Sequence, residues 1–211
     1  MVVPMNEWQS AEHASAYLAR ADRVPHRLDG EAALLDEIPP SARRVLDLGA
    51  GDGRLLELVL RGRPEARGVA VDFSPLMLGQ LKTRFGSASR VEVVDHNLDW
   101  PLPFAGTFDV VVSSFAIHHL EHERKRDLYR EVWALLEPGG VFCNLEHVAS
   151  ASPSAHERFL EAMGITASEE DPSNKLLDVH TQLEWLRGIG FLDVDCYWKW
   201  RELALLVGRK R

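Results

Sequence analysis

The turn Gly49-Ala50-Gly51-Asp52-Gly53, the carboxylate Asp72, the pair His118-His119 and the pair Glu146-His147 are the parts of this sequence whose residue types can do chemistry. Glycine at 49 and 51 lets the chain turn sharply and lets backbone N–H groups approach a ligand with no Cβ in the way. Gly53 permits close packing of a helix start, and a helix N-terminus favours a carboxylate or a phosphate. An acidic side chain about 20 residues further on, here Asp72, can accept from both hydroxyls of a ribose. NAD, flavin and other nucleoside sites all use that pairing. Asp47 and Asp52 add negative charge beside the turn, which repels a pyrophosphate and suits a sulfonium and an amino group. The spacing GxGxG also differs from the dinucleotide pattern GxGxxG.

These residues must be held by strands and helices that alternate along the chain. The apolar run 45–48 reads as a buried strand before the turn, and 54–60 as a helix after it. Strands follow at 68–71, 91–94, 108–113 and 141–145, and 108–113 is apolar enough to be covered on both faces. Helices are expected at 75–85, with Pro75 in the first turn, and at 123–136, ended by Pro138-Gly139-Gly140. Further helices fall at 153–163 and 181–188. The strands 191–198 and 203–207, joined at 199–202, are close enough to form a hairpin. Ahead of all this, Asn6 can cap a helix carrying Trp8, Ala11, Ala14, Tyr17 and Leu18. A second helix at 29–38 stops at Pro39-Pro40. The polar stretch 164–174 reads as a loop or lid. The pattern predicts an α/β, Rossmann-like fold: a mostly parallel sheet with one antiparallel C-terminal strand and helices on both faces. It also predicts one structural domain, with residues 1–40 as a helical cap on residues 41–211.

His118 and His119 follow the fourth strand, at the rim where open sheets of this kind bind ligands. His118 comes first after the strand mouth and is the candidate general base for a hydroxyl or an acidic carbon. The alternative is that the pair only packs or caps the next helix. His119 and Glu146 are candidate acceptor contacts, as is His147 beside them. A metal held by His118, His119, His122, Glu146 and His147 would need ligands converging from two loops, and no metal site is expected. At the chain's end Trp198, Trp200 and Arg201 make an aromatic, basic turn that could meet an anionic or planar acceptor. Trp100 and Trp185 read as core.

Apolar residues make up 45% and charged residues 27% of the 211, and the net charge is −8. The basic clusters are short, which disfavours a nucleic-acid substrate. No apolar run approaches the roughly 20 residues a membrane span needs. The first ten residues lack a signal-peptide pattern. Cys143 and Cys196 read as free, buried thiols in a reducing cytoplasm. The expected protein is cytoplasmic, a monomer or homodimer, with a small-molecule partner.

The segments VLDLGAGDGRLLELV (45–59), GVAVDFSPLMLGQ (68–80), VVDHNLDWPLPFAGTFDVVVSSFAIHHL (93–120) and ALLEPGGVF (134–142) resemble the class I S-adenosylmethionine (SAM) dependent methyltransferases. The general look is that of the quinone-type and small-metabolite members. The resemblance implies SAM as cofactor. It implies that Asp47, Gly49, Ala50, Gly51 and Gly53 surround the methionine part, and that Asp72 holds the ribose. Phe73 and Met77 would line the adenine, and Asn97 and Leu98 would meet its edge. Many members have Asp where Asn97 stands, and Asp95 keeps a second register open. Ser114 would lie beneath the transferred methyl. The N-terminal helical segment covers the cofactor in related enzymes, so Tyr17 and Arg27 are candidates for the SAM carboxylate or an acidic substrate. The distantly similar carboxy-SAM synthases hold an acid with an arginine near their C-terminal strands, a role open to Arg201. The activity the resemblance implies is methyl transfer from SAM to a small-molecule acceptor; the alternatives are a SAM-modifying enzyme of the carboxy-SAM synthase type and a non-catalytic SAM-binding module.

Overall fold

The computed structural model describes residues 8, 10–21, 24–86 and 90–211, without the side chains of Tyr17 and Ala21. The cap expected at Asn6 and the role expected for the Tyr17 side chain therefore lie outside the described residues.

In chain order the elements are α1 (Ala11–Ala21), α2 (Arg27–Glu37), β1 (Arg44–Leu48), α3 (Arg54–Gly62), β2 (Arg67–Asp72), α4 (Pro75–Phe85), β3 (Val91–Asp95) and β4 (Phe108–Ser114). They continue with α5 (His122–Leu135), β5 (Leu136–His147), α6 (Pro153–Met163), α7 (Val179–Ile189), β6 (Leu192–Trp200) and β7 (Leu203–Arg209). Short 3-10 turns sit at Ile117–His119 and Ala167–Glu169.

Among the described residues the strands form one sheet in the order β3-β2-β1-β4-β5-β7-β6. Strand β1 lies between β2 and β4, parallel to both, and β4 is parallel to β5. Only β7 runs against its neighbours, β5 and β6, as the hairpin at 199–202 predicted. The order reverses between β1 and β4, so a crevice opens beyond their carboxyl ends.

The apolar pattern explains the layering. One face of the sheet packs against Leu34 of α2 and Ile38 just beyond it, Leu55, Leu56 and Val59 of α3, and Leu81 of α4. The other packs against Leu128, Tyr129 and Val132 of α5, with Leu183 and Leu186 of α7. Each leucine fully buried this way is worth about 1.5–3 kcal/mol. Helix α2 is thus part of the core layer, while α1 lies toward the crevice.

Three sequence expectations change. Strand β5 begins at Leu136 and runs through Pro138-Gly139-Gly140, whose Gly139 N–H donates to the Lys210 carbonyl at 2.7 Å. The glycines therefore sit against the end of the chain and do not simply end a helix. Trp100 is not core but 67% exposed, because the irregular stretch after β3 carries it outward. Cys143 is buried, whereas Cys196 is only partly so, and both are free thiols. No described helix is long and apolar enough to cross a membrane.

Candidate active site

The turn after β1 is built around two glycines with left-handed backbone. Gly49 (φ +68°) lies so close to Ala116 that a Cβ on it would stand 2.2 Å from the alanine Cβ. Gly51 (φ +57°) faces the opposite situation: a Cβ there would meet no protein atom within 4 Å. It would project into open space. Asp72, at the end of β2, fastens this turn. Its Oδ2 accepts from the Gly51 N–H at 2.8 Å, and its Oδ1 from the Phe73 and Ser74 N–H groups at 2.8 and 2.9 Å. Burial still raises the Asp72 pKa, with those three amides opposing it.

Beside Asp72 lies a cavity of about 670 Å³, counted to its open mouth. Asp72, Phe73, Met77, Asn97, Leu98 and Ser114 all line it, with Gly49 and Gly51. Asn97 stands at the wall and Asp95 does not. Asn97 currently turns toward its own loop, accepting from the Asp99 N–H at 2.9 Å.

A second cavity shares Gly49, Gly51 and Ser114 with the first and adds Asp47, Ala50 and Arg27. Gly53 lines neither and starts α3 behind the turn. Asp47 is 1% exposed, and its Oδ2 has no hydrogen-bond partner among the described residues. Burial, then the charge of Asp72, pushes its pKa up to about 8, against a lowering contribution from the Leu56 backbone. The Ser114 hydroxyl is likewise buried and unpartnered. Arg27 and Arg54 bring guanidinium groups to this cavity, both anchored on the buried Glu31 at 2.9 Å. An orphaned carboxylate oxygen next to anchored guanidiniums fits a ligand end bearing both an ammonium and a carboxylate. The open space at Gly51 fits the rest of such a ligand passing between the two cavities.

The third cavity adjoins the first through Trp8, Phe115 and His119, which line both. Phe115 holds a left-handed φ of 53°, an uncommon conformation for a bulky residue. Phe159, Leu160 and Met163 of α6 supply an apolar wall, and His118, His119 and His147 line the same space. His118 is 6% exposed and its Nδ1 lies 2.6 Å from Oε1 of Glu146. The parallel register of β4 and β5, with Ser114 opposite Leu145, is what brings these two strand ends together. Burial, then the charges of His147 and Lys125, holds the His118 pKa well below the usual histidine value. Burial raises the Glu146 carboxyl, opposed by Lys125, the His147 amide and Asn144.

Two expected acceptor contacts are placed otherwise. Glu146 is 1% exposed and lies behind His118, not on the cavity wall. Arg201 is exposed, stacks on Trp200 at 5.6 Å and lines none of the cavities described. The turn sends Arg201 out and its neighbour Glu202 in. Glu202 is 1% exposed and accepts from His147 Nε2 and His156 Nδ1, each at 2.9 Å, and from the Ser150 hydroxyl. Sequence reasoning passed over Glu202, Phe115 and Glu31. A charged residue in a turn reads as solvated, and only the packing of β7 on β5 buries it. Among the described residues no group of histidine, cysteine and carboxylate side chains could hold a metal.

A family model described as a methyltransferase domain matches residues 45–140, the stretch that supplies both nucleoside-side cavities and the His118 turn. Over those residues, less than half of the 211, the chain is similar to the methyltransferase domain family. The ubiquinone/menaquinone biosynthesis C-methyltransferase UbiE of Dinoroseobacter shibae is 30% identical over 64% of this chain and 54% of its own length. The chain thus spans about half the length of that relative. An O-methyltransferase family protein from Burkholderia thailandensis has a similar fold, with a TM-score of 0.74 and 22% identity over 97% of this chain and 61% of that one. Human N-acetylserotonin methyltransferase, solved in complex with SAM, gives a TM-score of 0.70 with 16% identity over 97% and 57% of the two chains. The fold of this chain is the one shared by these two methyltransferase structures.

Proposed function

We propose that this protein transfers a methyl group from SAM to a hydroxyl of a small-molecule acceptor. The observation that carries the reading is the shared wall: Trp8, Phe115 and His119 separate the cavity beside Asp72 and the glycine turn from one lined by a carboxylate-backed histidine. SAM, when bound, supplies a methyl carbon already activated by a sulfonium. In this reading Asp72 holds the ribose, Phe73, Met77, Asn97 and Leu98 surround the adenine, and Asp47 with Arg27 receives the amino-acid end. Gly49, Ala50, Gly51 and Gly53 shape the turn, and Ser114 lies between the two halves.

His118 takes the proton from the acceptor hydroxyl at Nε2. Glu146 holds the Nδ1 side and opposes the charge that develops on the ring, so it is a positioning residue and not an acceptor contact. Apolar side chains of α6 exclude water. Helix α1 acts as the cap, bringing Leu18 to one cavity and Arg20 to another. The role considered for Arg201 lacks a cavity to serve.

Calorimetric titration with SAM and with NADH tests the reading. SAM binds and NADH does not; NADH binding without SAM binding overturns it. Gly51→Val puts a branched side chain into the open space between the cavities. It lowers SAM affinity by about 2 kcal/mol or more, and a variant that is folded yet binds SAM normally shows that the ligand runs elsewhere.

A further inference from the structure

One proton is lost when one hydroxyl is methylated, and one base suffices to take it. Yet this cavity presents a second histidine on a buried carboxylate. His147 Nε2 meets Oε2 of Glu202 at 2.9 Å, as His118 Nδ1 meets Glu146 at 2.6 Å. The two carboxylates come from different parts of the fold, one on β5 and one on the turn before β7. Each is 1% exposed. The two rings stand edge to face with centroids 5.6 Å apart, and both line the same space. Burial works against a charge on Glu202, but hydrogen bonds from His147, Ser150 and His156 offset it and hold the carboxyl below its usual range. An ionised Glu202 takes a proton-bearing Nε2 from His147, which leaves Nδ1 as the nitrogen available to a ligand. The described residues offer Nδ1 no hydrogen-bond partner, and it is not a sealed, buried atom.

The surroundings limit what could sit between the two histidines. Phe159 packs against the His147 ring at 5.2 Å, and Phe115 closes the side toward the nucleoside cavity. Arg20, Glu169, Glu170 and Asp171 line another part of the same cavity, but beside the two imidazoles stand the flat rings of Phe115 and Phe159, which suit a planar molecule with two polar groups on neighbouring positions.

We propose that His147, oriented by Glu202, reads a second hydroxyl on the acceptor, so that the cavity selects planar diols over compounds with a single hydroxyl. His147 moves no proton in this scheme. It receives a hydrogen bond from the hydroxyl that is not methylated and fixes the ring so that the other hydroxyl lies at His118. The proposal rests on the methyl-transfer reading above and names the acceptor class for that site. A polar group left unpaired in a site built for hydrogen bonding is a strong source of discrimination.

The test uses phenol, catechol and resorcinol as acceptors with SAM, and calorimetry of the same three compounds with S-adenosylhomocysteine-loaded protein. The wild type favours a diol over phenol by about tenfold or more in kcat/KM or in affinity. His147→Phe, which keeps the packing on Phe159, brings that ratio to within about threefold of one. His147→Asn, which retains a hydrogen-bonding group, recovers part of it. A wild-type ratio near one, or a ratio that His147→Phe leaves unchanged, overturns the proposal. Protein that binds S-adenosylhomocysteine but none of the three compounds also overturns it and leaves the methyl-donor site standing. Protein that fails to bind S-adenosylhomocysteine brings down both.

Discussion

Replacing His118 by alanine lowers kcat by about 10²–10⁴-fold and leaves the binding of the methyl donor intact. In the proposed reaction the imidazole takes the acceptor's proton, and it does not line the cavity beside Asp72, so its loss falls on the chemical step. The pH profile carries the same signature. Burial and the neighbouring charges of His147 and Lys125 depress the His118 pKa. A base must be unprotonated to act. Activity is therefore full at neutral pH and is lost as pH falls through that depressed value, below the ordinary histidine midpoint of about 6.5. Glu146→Gln keeps an acceptor for Nδ1 and removes the opposing charge; it lowers kcat by about tenfold or more, with little change in KM. Steady-state kinetics across pH, on an acceptor the wild type methylates, checks all three outcomes. Full activity in His118→Ala would return the residue to a packing role.

Asp72→Ala weakens SAM binding by about 1–3 kcal/mol. The carboxylate has two functions at once. Three backbone N–H groups already bond to it, which shapes the turn at Gly51, and its remaining acceptor capacity faces the nucleoside cavity. Asp72→Asn keeps one acceptor oxygen, enough for the Phe73 and Ser74 N–H groups, but loses the charge and the second oxygen that receives the Gly51 N–H. The alanine variant should lose more affinity than the asparagine variant. Calorimetry reads both, and unchanged affinity in Asp72→Ala would show that the sugar lies elsewhere.

That residues 49–98 come together around one cavity was legible in the sequence because the parts are local: a strand, a glycine turn, and an acid at the end of the next strand. Parallel neighbours β1 and β2 place those ends side by side without long-range information. The acceptor half was legible only in its histidines. His118 and Glu146 are 28 residues apart, and their contact depends on β5 taking its place next to β4. Reading 108–113 and 141–145 as adjacent parallel strands could have paired them. Glu202 was out of reach, since nothing local distinguishes a buried turn carboxylate from the exposed Arg201 beside it. Trp100 failed in the opposite sense: a large apolar ring reads as core, yet it lies on an irregular stretch that the sheet leaves outside.

The segment closing the acceptor cavity is fastened to the histidine turn itself. The Lys175 N–H donates to the His118 carbonyl at 2.9 Å, and Ser173 Oγ lies 2.9 Å from His119 Nδ1. The buried Lys125 ammonium joins the two by donating to the carbonyls of His118, Leu120 and Lys175. Engineering a roomier loop between Gly164 and Asn174 to admit bulkier acceptors is therefore not a change to the doorway alone. Any strain it introduces is delivered to the imidazole that must meet the acceptor, so gains in substrate range and losses in rate will arrive together unless the stretch 173–175 is left as it is.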